Sequence, residues 1–303
     1  MTVAPRRIAF AAILTGLSIL AVAAGFRIQS SRAFFEPQRL LSRFPAEDAL
    51  ALSVDAVSLR RAGVLEQSKA ALEPEYRQFV EGTGFDYRRD LDSFTASFSQ
   101  SGSYFIARGR FRWDKLRDYA VHQGGSCYKD LCRIAGSRPE RHISFLPLRD
   151  DAIALAVSTD DLAATRLTKT GSPITTTLPA APVWISVPGA ELRRANSLPP
   201  GMHLMLSALT GADRILITFG LAGQNIEARM EATCRTPDDA KNLATRLRSV
   251  TTLLKEAAAR DKQPGDDEIT AVLTSGSFDQ NDRRVNGKWP VRRALLDALT
   301  AGI

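Results

Sequence analysis

A ten-residue stretch of this sequence occurs twice. The segment Ser53–Ala62 (SVDAVSLRRA) and the segment Ser186–Ala195 (SVPGAELRRA) are identical at six of ten positions. Apolar runs at Ala49–Val54 and Val183–Val187 lead into the two copies, and each run predicts a strand followed by a short helix. Because a repeated sequence constrains both copies to similar local structure, we predict that the chain contains a duplicated module.

A second match follows in the same order along the chain. Phe94–Phe98 and Tyr104–Phe111 correspond to Ile215–Phe219 and Asn225–Ala232, with a glycine in the turn of each pair. All four segments alternate between apolar and polar residues, which is typical of strands with one buried face. Each copy therefore predicts a β-hairpin.

A helix is predicted after each hairpin, at Trp113–Gln123 in the first copy and from Thr236 in the second. Thr236 is followed by Pro-Asp-Asp, a sequence typical of a helix start. Each copy then ends with two predicted strands and a helix: Ile143–Leu148, Ala152–Val157 and Ser158–Thr168 in the first, and Ile269–Ser275, Arg283–Val285 and Pro290–Leu299 in the second.

The order of these elements predicts an α+β fold of two repeated modules, with antiparallel sheets and packed helices, behind an N-terminal transmembrane helix. Residues 34–170 form the first predicted module and residues 183–303 the second. Residues 171–182, rich in Thr and Pro, are the predicted linker. Residues 1–33 are the predicted anchor and juxtamembrane segment.

The predicted anchor is the uncharged run Ile8–Phe26, which follows Arg6 and Arg7. As a helix its 19 residues span about 28 Å, enough to cross the hydrocarbon core of a membrane. A cleaved signal peptide is the alternative, since Ala21–Ala23 offers a small-x-small site. That site lies inside the apolar run, so an uncleaved signal anchor is favoured.

Charge also marks this end of the chain. Residues 1–43 hold six Arg and one Glu, whereas the remainder holds 34 basic and 32 acidic residues. The basic excess thus lies beside the membrane segment, where it contacts headgroups and sets orientation. We expect a single-pass protein of the cell membrane with its C-terminal domain in the periplasm or otherwise outside the cytoplasm. A nucleic-acid partner is not expected.

Charged side chains on the two hairpins are the predicted binding surface. In the first hairpin Phe105, Ala107, Gly109 and Phe111 are expected to face the helices, and the alternate positions to face solvent. We expect these positions to recognise an envelope protein or an anionic ligand, or to recognise each other. The predicted surface comprises Arg108, Arg110 and Arg112 on the first hairpin and Glu227, Arg229 and Glu231 on the second.

The chain has three cysteines. Cys127 and Cys132 are five positions apart, and outside the cytoplasm such a pair favours a local disulfide. Cys234 is then left over and is interpreted as a buried thiol.

Several short motifs occur along the first module. They are Gly84-Phe85-Asp86, Asp90-Leu91, Gly109-Arg110-Phe111, Leu116, Gly124-Gly125, Cys132-Arg133-Ile134, Ile143-Ser144-Phe145-Leu146 and Ala154-Leu155-Ala156-Val157. In these residues the first module resembles an uncharacterised family of bacterial membrane-anchored envelope proteins with a Gly-x-Phe hairpin module. The resemblance covers roughly residues 45–170 and implies the architecture, without an activity that carries over.

No residue pattern in the chain predicts catalysis, a metal site or a cofactor. His122, His142 and His203 have no partner at metal-ligand spacing. We therefore expect no cofactor and predict a non-catalytic, membrane-tethered envelope domain that binds or scaffolds a partner. The alternative is a hydrolase-like envelope enzyme with its site between the two modules.

Overall fold

The computed structural model describes residues 37–45, 49–65, 74–136, 140–171, 178–193, 207–222, 225–260 and 267–291. In this part of the chain, twelve strands form one antiparallel sheet with helices packed on it, which confirms the α+β class. The strands are β1 (Leu50–Asp55), β2 (Leu91–Ser99), β3 (Gly102–Gly109), β4 (Ser126–Tyr128), β5 (Leu131–Ala135), β6 (His142–Arg149), β7 (Ala152–Ser158), β8 (Val183–Pro188), β9 (Arg214–Ala222), β10 (Asn225–Thr233), β11 (Ser277–Asn281) and β12 (Arg284–Val291).

Both predicted modules contribute to this sheet. The strand order is β11-β12-β10-β9-β8-β1-β2-β3-β7-β6-β5-β4, so β8 and β1 are neighbours at its centre. They pair antiparallel, with Ser53 opposite Trp184. The prediction of separate sheets was therefore wrong, because β1 and β8 satisfy each other's backbone hydrogen bonds instead of ending two sheets as open edges.

Eight α-helices and one 3₁₀-helix can be bounded within the described ranges, and residues 207–209 are also helical. Most are short and connect strands, and α7 is the longest of them. They are α1 (Pro37–Leu41), α2 (Ala56–Arg61), α3 (Pro74–Thr83), α4 (Tyr87–Asp90), α5 (Trp113–His122), α6 (Gly189–Leu192), α7 (Pro237–Arg260), α8 (Asp267–Thr274) and the 3₁₀-helix Ala163–Thr168.

Helix α7 begins where the sequence predicts. The Thr236 hydroxyl accepts a hydrogen bond from the Asp239 N–H at 3.1 Å, which satisfies one free donor of the first turn. Leu243, Leu247 and Leu254 lie on one face of the helix and are buried against the sheet. The second-half core also includes Ile215, Ile226, Ala228, Met230, Ala232, Phe278, Val285 and Trp289.

The first half of the sheet is covered on both faces. On one face Tyr104 and Ile106 are buried against Leu40 of α1 and Leu167 of the 3₁₀-helix. On the other face Phe145 and Ile153 pack with Leu116 and Ala120 of α5. The expectation that Ile106 faces solvent was wrong, because the 3₁₀-helix folds back over its face of the sheet.

Three predicted elements near the ends of the modules differ from the structure. Residues 269–275, predicted as a strand, lie mainly in helix α8; a short apolar run has no period that separates the two, and Asp267 and Glu268 favour a helix start. The predicted Ser158–Thr168 helix is confined to the 3₁₀-turns at Ala163–Thr168.

Pro290, the predicted start of the last helix, lies in β12 opposite Glu227. Strand β11 pairs with β12 only as far as Lys288, so the proline occupies a stretch that is open on one side, where its missing N–H is tolerated. The remainder of that predicted helix lies outside the described residues.

No helix among the described residues is long and apolar enough to cross a membrane. The predicted anchor, residues 8–26, lies outside the described ranges, so the single-pass topology stays a prediction.

Candidate functional site

An apolar cavity of about 410 Å³ lies between the first half of the sheet and helices α3 and α5. This volume falls within the range of about 300–1,000 Å³ that is usual for small-molecule sites. Its walls are aliphatic and aromatic, with contributions from five strands. The lining residues are Phe79, Phe85, Phe94, Phe105, Ala107, Phe111, Leu116, Tyr119, Ile134, Ile143, Phe145, Ile153 and Leu155.

The floor of the cavity follows from strand alternation. Phe94 pairs with Ala107, and Phe105 pairs with Leu155, so their side chains project from the same face of the sheet. The Phe94 and Phe105 rings stack with centroids 5.6 Å apart. The prediction that Phe105 and Ala107 face the helices is confirmed, and these two residues form the middle of the floor.

Helix α5 forms one wall of the cavity and packs against α3. Leu116 and Tyr119 are three positions apart and therefore lie on one helix face, toward the cavity. The Tyr119 ring meets Phe79 of α3 edge-on, with centroids 5.3 Å apart. A side chain on Gly82 would overlap the same ring, because a Cβ there would lie 2.8 Å from it. The glycine thus lets α3 approach α5 closely.

The end wall is a pair of stacked rings, Phe85 and Phe111, with centroids 4.8 Å apart. Phe111 lies two residues beyond the end of β3, and Phe85 follows Gly84, which has a left-handed backbone (φ 72°). Glycine adopts this conformation without the steric cost of a Cβ. The two Phe residues of the predicted module motif therefore meet in space.

A hydrogen-bonded network around Asp86 and Asp90 holds this end wall. The Asp86 carboxylate accepts from the Tyr76 hydroxyl at 2.9 Å and from Arg88 at 2.7 Å. The hydrogen bond from Arg88 is the main reason that the pKa of Asp86 is lowered. Burial is the main reason that the pKa of Tyr76 is raised. Tyr76 lies on α3, so Asp86 connects that helix to the turn that carries Phe85.

Asp90 connects the same turn to the end of β3. Its carboxylate is only 8% exposed and accepts from Arg110 at 2.9 Å, from Arg89 at 2.8 Å and from the Asp86 N–H at 3.0 Å. Burial alone would raise the pKa of Asp90, but these hydrogen bonds outweigh it and hold the pKa well below the usual range.

The cavity can accommodate little besides hydrocarbon. Among its lining residues, Tyr119 is the only one whose side chain carries a polar atom. A polar group buried there without a partner would cost about 1–3 kcal/mol, whereas each buried CH₂ gains about 0.8 kcal/mol. The arrangement therefore suits an apolar chain or ring, and Tyr119 is the only lining residue whose side chain has a group capable of acid–base chemistry.

The three arginines predicted to form a column do not all lie on one strand. Strand β3 ends at Gly109, and only Arg108 lies in it. Arg108 contacts Asp151 at 3.2 Å, Arg110 binds Asp90, and Arg112 is exposed at the start of α5. Regular alternation was the wrong expectation here, because residues 110–112 lie beyond the strand and Arg110 turns to Asp90 at the start of β2.

The matching positions on the second hairpin do lie on one outer face of β10. Glu227 contacts Arg229, and Glu231 contacts Arg284 of β12 at 3.5 Å. Four strands separate β3 from β10, which places the two sets about 24 Å apart along the sheet. Direct recognition between the two sets is excluded by this distance, and recognition of another molecule by either set stays a prediction.

Cys127 and Cys132 are cross-strand partners in the β4–β5 hairpin, and the structure joins them by a disulfide. The free cysteine, Cys234, is buried, and burial raises the pKa of its thiol. Both positions agree with what the sequence predicts.

The junction between the modules was the predicted place for an enzyme site. Ser53 and Ser186 lie there, and their hydroxyls contact Thr95 at 3.5 Å and Arg214 at 3.3 Å respectively. His122 contacts a backbone carbonyl of its own helix, His142 lies in β6, and His203 is outside the described residues. The described ranges contain no cluster of three potential metal ligands.

No family model matches the sequence, and no curated protein matches it. Among solved structures, crystal form III of the treponemal protein TP0453 aligns with 87% of this chain and 98% of its own, with a TM-score of 0.51 and 7% identity. Crystal form I of TP0453 aligns with 86% of this chain and 96% of its own, with a TM-score of 0.46 and 7% identity. At this identity the likeness to form III concerns the fold alone.

Proposed function

We propose that this chain is a non-catalytic envelope protein, tethered to the membrane by residues 8–26, that binds an apolar partner molecule in the cavity of its first half. The observation that carries the proposal is the cavity between α3, α5 and the sheet, with its wholly apolar walls. A cavity of this kind selects molecules by shape and hydrophobicity, which is the property of a binding protein.

The hydrogen-bonded network around Asp86 and Asp90 supports this proposal because its role is to hold the cavity wall in shape. Asp86 and Asp90 hold the rings of Phe85 and Phe111 in place through Tyr76 and Arg110. Their charged groups are hydrogen-bonded to one another, and none of these four polar residues is among those that line the cavity. Such an arrangement fixes the shape of a cavity without placing a reactive group in it.

We also infer that the two halves of the sheet descend from one duplicated module. Read outward from the junction, the strands are β1-β2-β3-β7-β6-β5-β4 on one side and β8-β9-β10-β12-β11 on the other, so the first five on each side correspond in order. The repeated segments occupy β1 with α2 and β8 with α6. Helix α7 fills the position in the second half that corresponds to α5, and its core includes Met230 and Trp289. We therefore place the proposed binding of an apolar molecule in the first half, which contains the apolar cavity.

Binding is tested with the full chain in nanodiscs of phosphatidylcholine. A photoactivatable long-chain alcohol, with its diazirine in the hydrocarbon chain, is added, and labelled peptides are identified by mass spectrometry. We expect label on the strands that carry Phe105 and Phe145. Label confined to residues 8–26, with none in the cavity peptides, would contradict the proposal.

Two variants make the test specific to the cavity. Ala107→Leu and Ala107→Phe add side-chain volume to the floor and should reduce cavity labelling in that order. Filling an existing void should leave the melting temperature unchanged or higher, so a loss of label cannot be attributed to unfolding. Thr252→Leu, at an exposed position of α7, is the control and should label as the parent chain does.

The compartment is tested separately. Alkaline phosphatase fused after Ile303 should be active in intact cells, because that enzyme folds only outside the cytoplasm, and the fusion should remain with the membrane fraction. An inactive fusion in a soluble cytoplasmic product would overturn both the anchor and the signal-peptide interpretations.

A further inference from the structure

We infer that the occupant of the cavity is a long-chain fatty acid, whose hydrocarbon chain lies among the cavity phenylalanines and whose carboxylate lies at Arg112. The inference rests on the proposed binding function and adds the chemical class of the ligand to it.

The cavity walls determine the buried part of the ligand. Phe94, Phe105 and Phe145 on the sheet face Leu116 on α5, and none of these side chains can donate or accept a hydrogen bond. The part of a ligand that enters must therefore also lack polar groups, since an unpaired one costs about as much as several methylenes gain. Any polar group of the ligand has to remain at an end of the cavity, in contact with water.

An arginine lies near the end formed by Phe85 and Phe111. Arg112 follows Phe111 directly and is exposed. Its guanidinium lies over Gly84, where a Cβ would be 3.9 Å from Nη1. Gly84 precedes Phe85, so the cation lies beside the backbone that carries one ring and directly follows the residue that carries the other.

Arg112 takes no part in the ion pairs of its neighbours. The carboxylates of Asp86 and Asp90 are hydrogen-bonded to Arg88, Arg89 and Arg110. Among the described residues, none of these ion pairs includes Arg112, so its guanidinium can bind the single carboxylate of a ligand.

Helix α5 reinforces the same preference. Its N-cap residue is Arg112, whose side chain makes no capping hydrogen bond, so the first-turn N–H groups of α5 lack that partner. Both features favour an anion at this place. A neutral alcohol or a cationic amphiphile with the same chain would fill the cavity equally well and would lose this interaction.

The experiment compares three photoactivatable probes with one identical saturated chain and different head groups: a carboxylate, an alcohol and a trimethylammonium. Each is titrated into the full chain in phosphatidylcholine nanodiscs at pH 8, and labelling of the cavity peptides is quantified. We expect half-maximal labelling at the lowest concentration for the carboxylate and at the highest for the trimethylammonium.

Arg112→Gln should raise the half-maximal concentration of the carboxylate probe by about threefold to fivefold, the range expected for an exposed ion pair, and leave the alcohol unchanged. Arg112→Lys should recover part of the difference. Arg117→Gln is the matched control, because Arg117 is exposed on the same helix, lies five positions after Arg112 and is not among the residues that line the cavity.

The outcomes separate the inference from the proposed function. Equal labelling of the cavity by all three probes, unaffected by Arg112→Gln, would overturn the fatty-acid assignment and leave apolar binding standing. Preference for the trimethylammonium probe would also overturn the assignment. Absence of cavity label with every probe would refute both.

Discussion

The carboxylate of Asp90 accepts a hydrogen bond from the Arg110 guanidinium at 2.9 Å, across the point where β2 begins and β3 ends. The Arg110 N–H also donates to the Asp90 carbonyl at 2.8 Å, so backbone and side chain make the same connection. Because Phe85 precedes one partner and Phe111 follows the other, this connection sets the distance between the two stacked rings.

Asp90→Asn should lower the free energy of unfolding by about 1–3 kcal/mol at neutral pH, because it weakens charge-assisted hydrogen bonds to a buried group. The depressed pKa of Asp90 gives this effect a pH dependence. Its contribution is complete above the pKa of an unfolded Asp, about 4, and is lost as pH falls toward the folded value. Chemical denaturation at pH 7 and at pH 3 measures this.

The difference between the parent chain and Asp90→Asn should therefore shrink at the lower pH. Asp118→Asn, at an exposed position of α5, is the matched control and should be neutral at both. A difference between parent and Asp90→Asn that is the same at pH 7 and pH 3 would show that the charge of Asp90 is not involved.

Gly109→Ala should destabilise the fold by about 1–3 kcal/mol, because the added Cβ would overlap the Asp90 carbonyl oxygen and lie 3.1 Å from the Leu91 Cα. Gly220→Ala in β9 is the control: a Cβ there meets no atom within 4 Å. Thermal unfolding should show a lower melting temperature for the first variant and an equal or higher one for the second. Equal melting temperatures for both variants would refute the close approach of β3 to Asp90.

Cys127 and Cys132 should be disulfide-bonded in the mature protein, with Cys234 as the free thiol. Alkylation after unfolding without reductant, followed by mass spectrometry, should modify Cys234 alone. Because the loop is short, replacing both cysteines with Ser should cost at most about 2–3 kcal/mol. Three alkylated cysteines in the non-reduced protein would contradict the disulfide.

Arg108 and Asp151 should show a small coupling energy. Both side chains are more than a third exposed, so a double-mutant cycle with Arg108→Gln and Asp151→Asn should give about 0–1 kcal/mol. The same cycle with Glu227→Gln in place of Asp151→Asn should give zero, because four strands lie between them. Coupling between Arg108 and Glu227 would show a packing of the two halves that differs from this sheet.

The sequence correctly predicted those elements whose structure is determined by residues within the same segment. The two hairpins, the β1 and β8 strands and the start of α7 at Thr236 are in the structure, because alternation, turn glycines and capping residues act within a few positions. Residues 269–275 have an apolar pattern without a distinct period, and their helix depends on contacts with α7 and the sheet.

The cavity is a different case, because no segment of the sequence encodes it alone. Its floor was anticipated at Phe105 and Ala107, but its walls bring together residues from Phe79 to Leu155. The predicted arginine column failed for a related reason: Asp90, 20 positions before Arg110, determines where that side chain points. The motifs Gly84-Phe85-Asp86 and Gly109-Arg110-Phe111 did indicate part of the site, since Phe85 and Phe111 stack to form its end wall.

The pairing of β1 with β8 also has a consequence for the time course of biosynthesis. Residues 50–55 emerge early, and their neighbour on one side, residues 183–188, is made about 130 positions later. Until then β1, which lies at the middle of the finished sheet, is an unpaired edge strand with Leu50, Leu52 and Val54 on its apolar side. The first half is therefore synthesised with an unpaired, aggregation-prone strand edge, and this edge is paired only when β8 of the second half has been made.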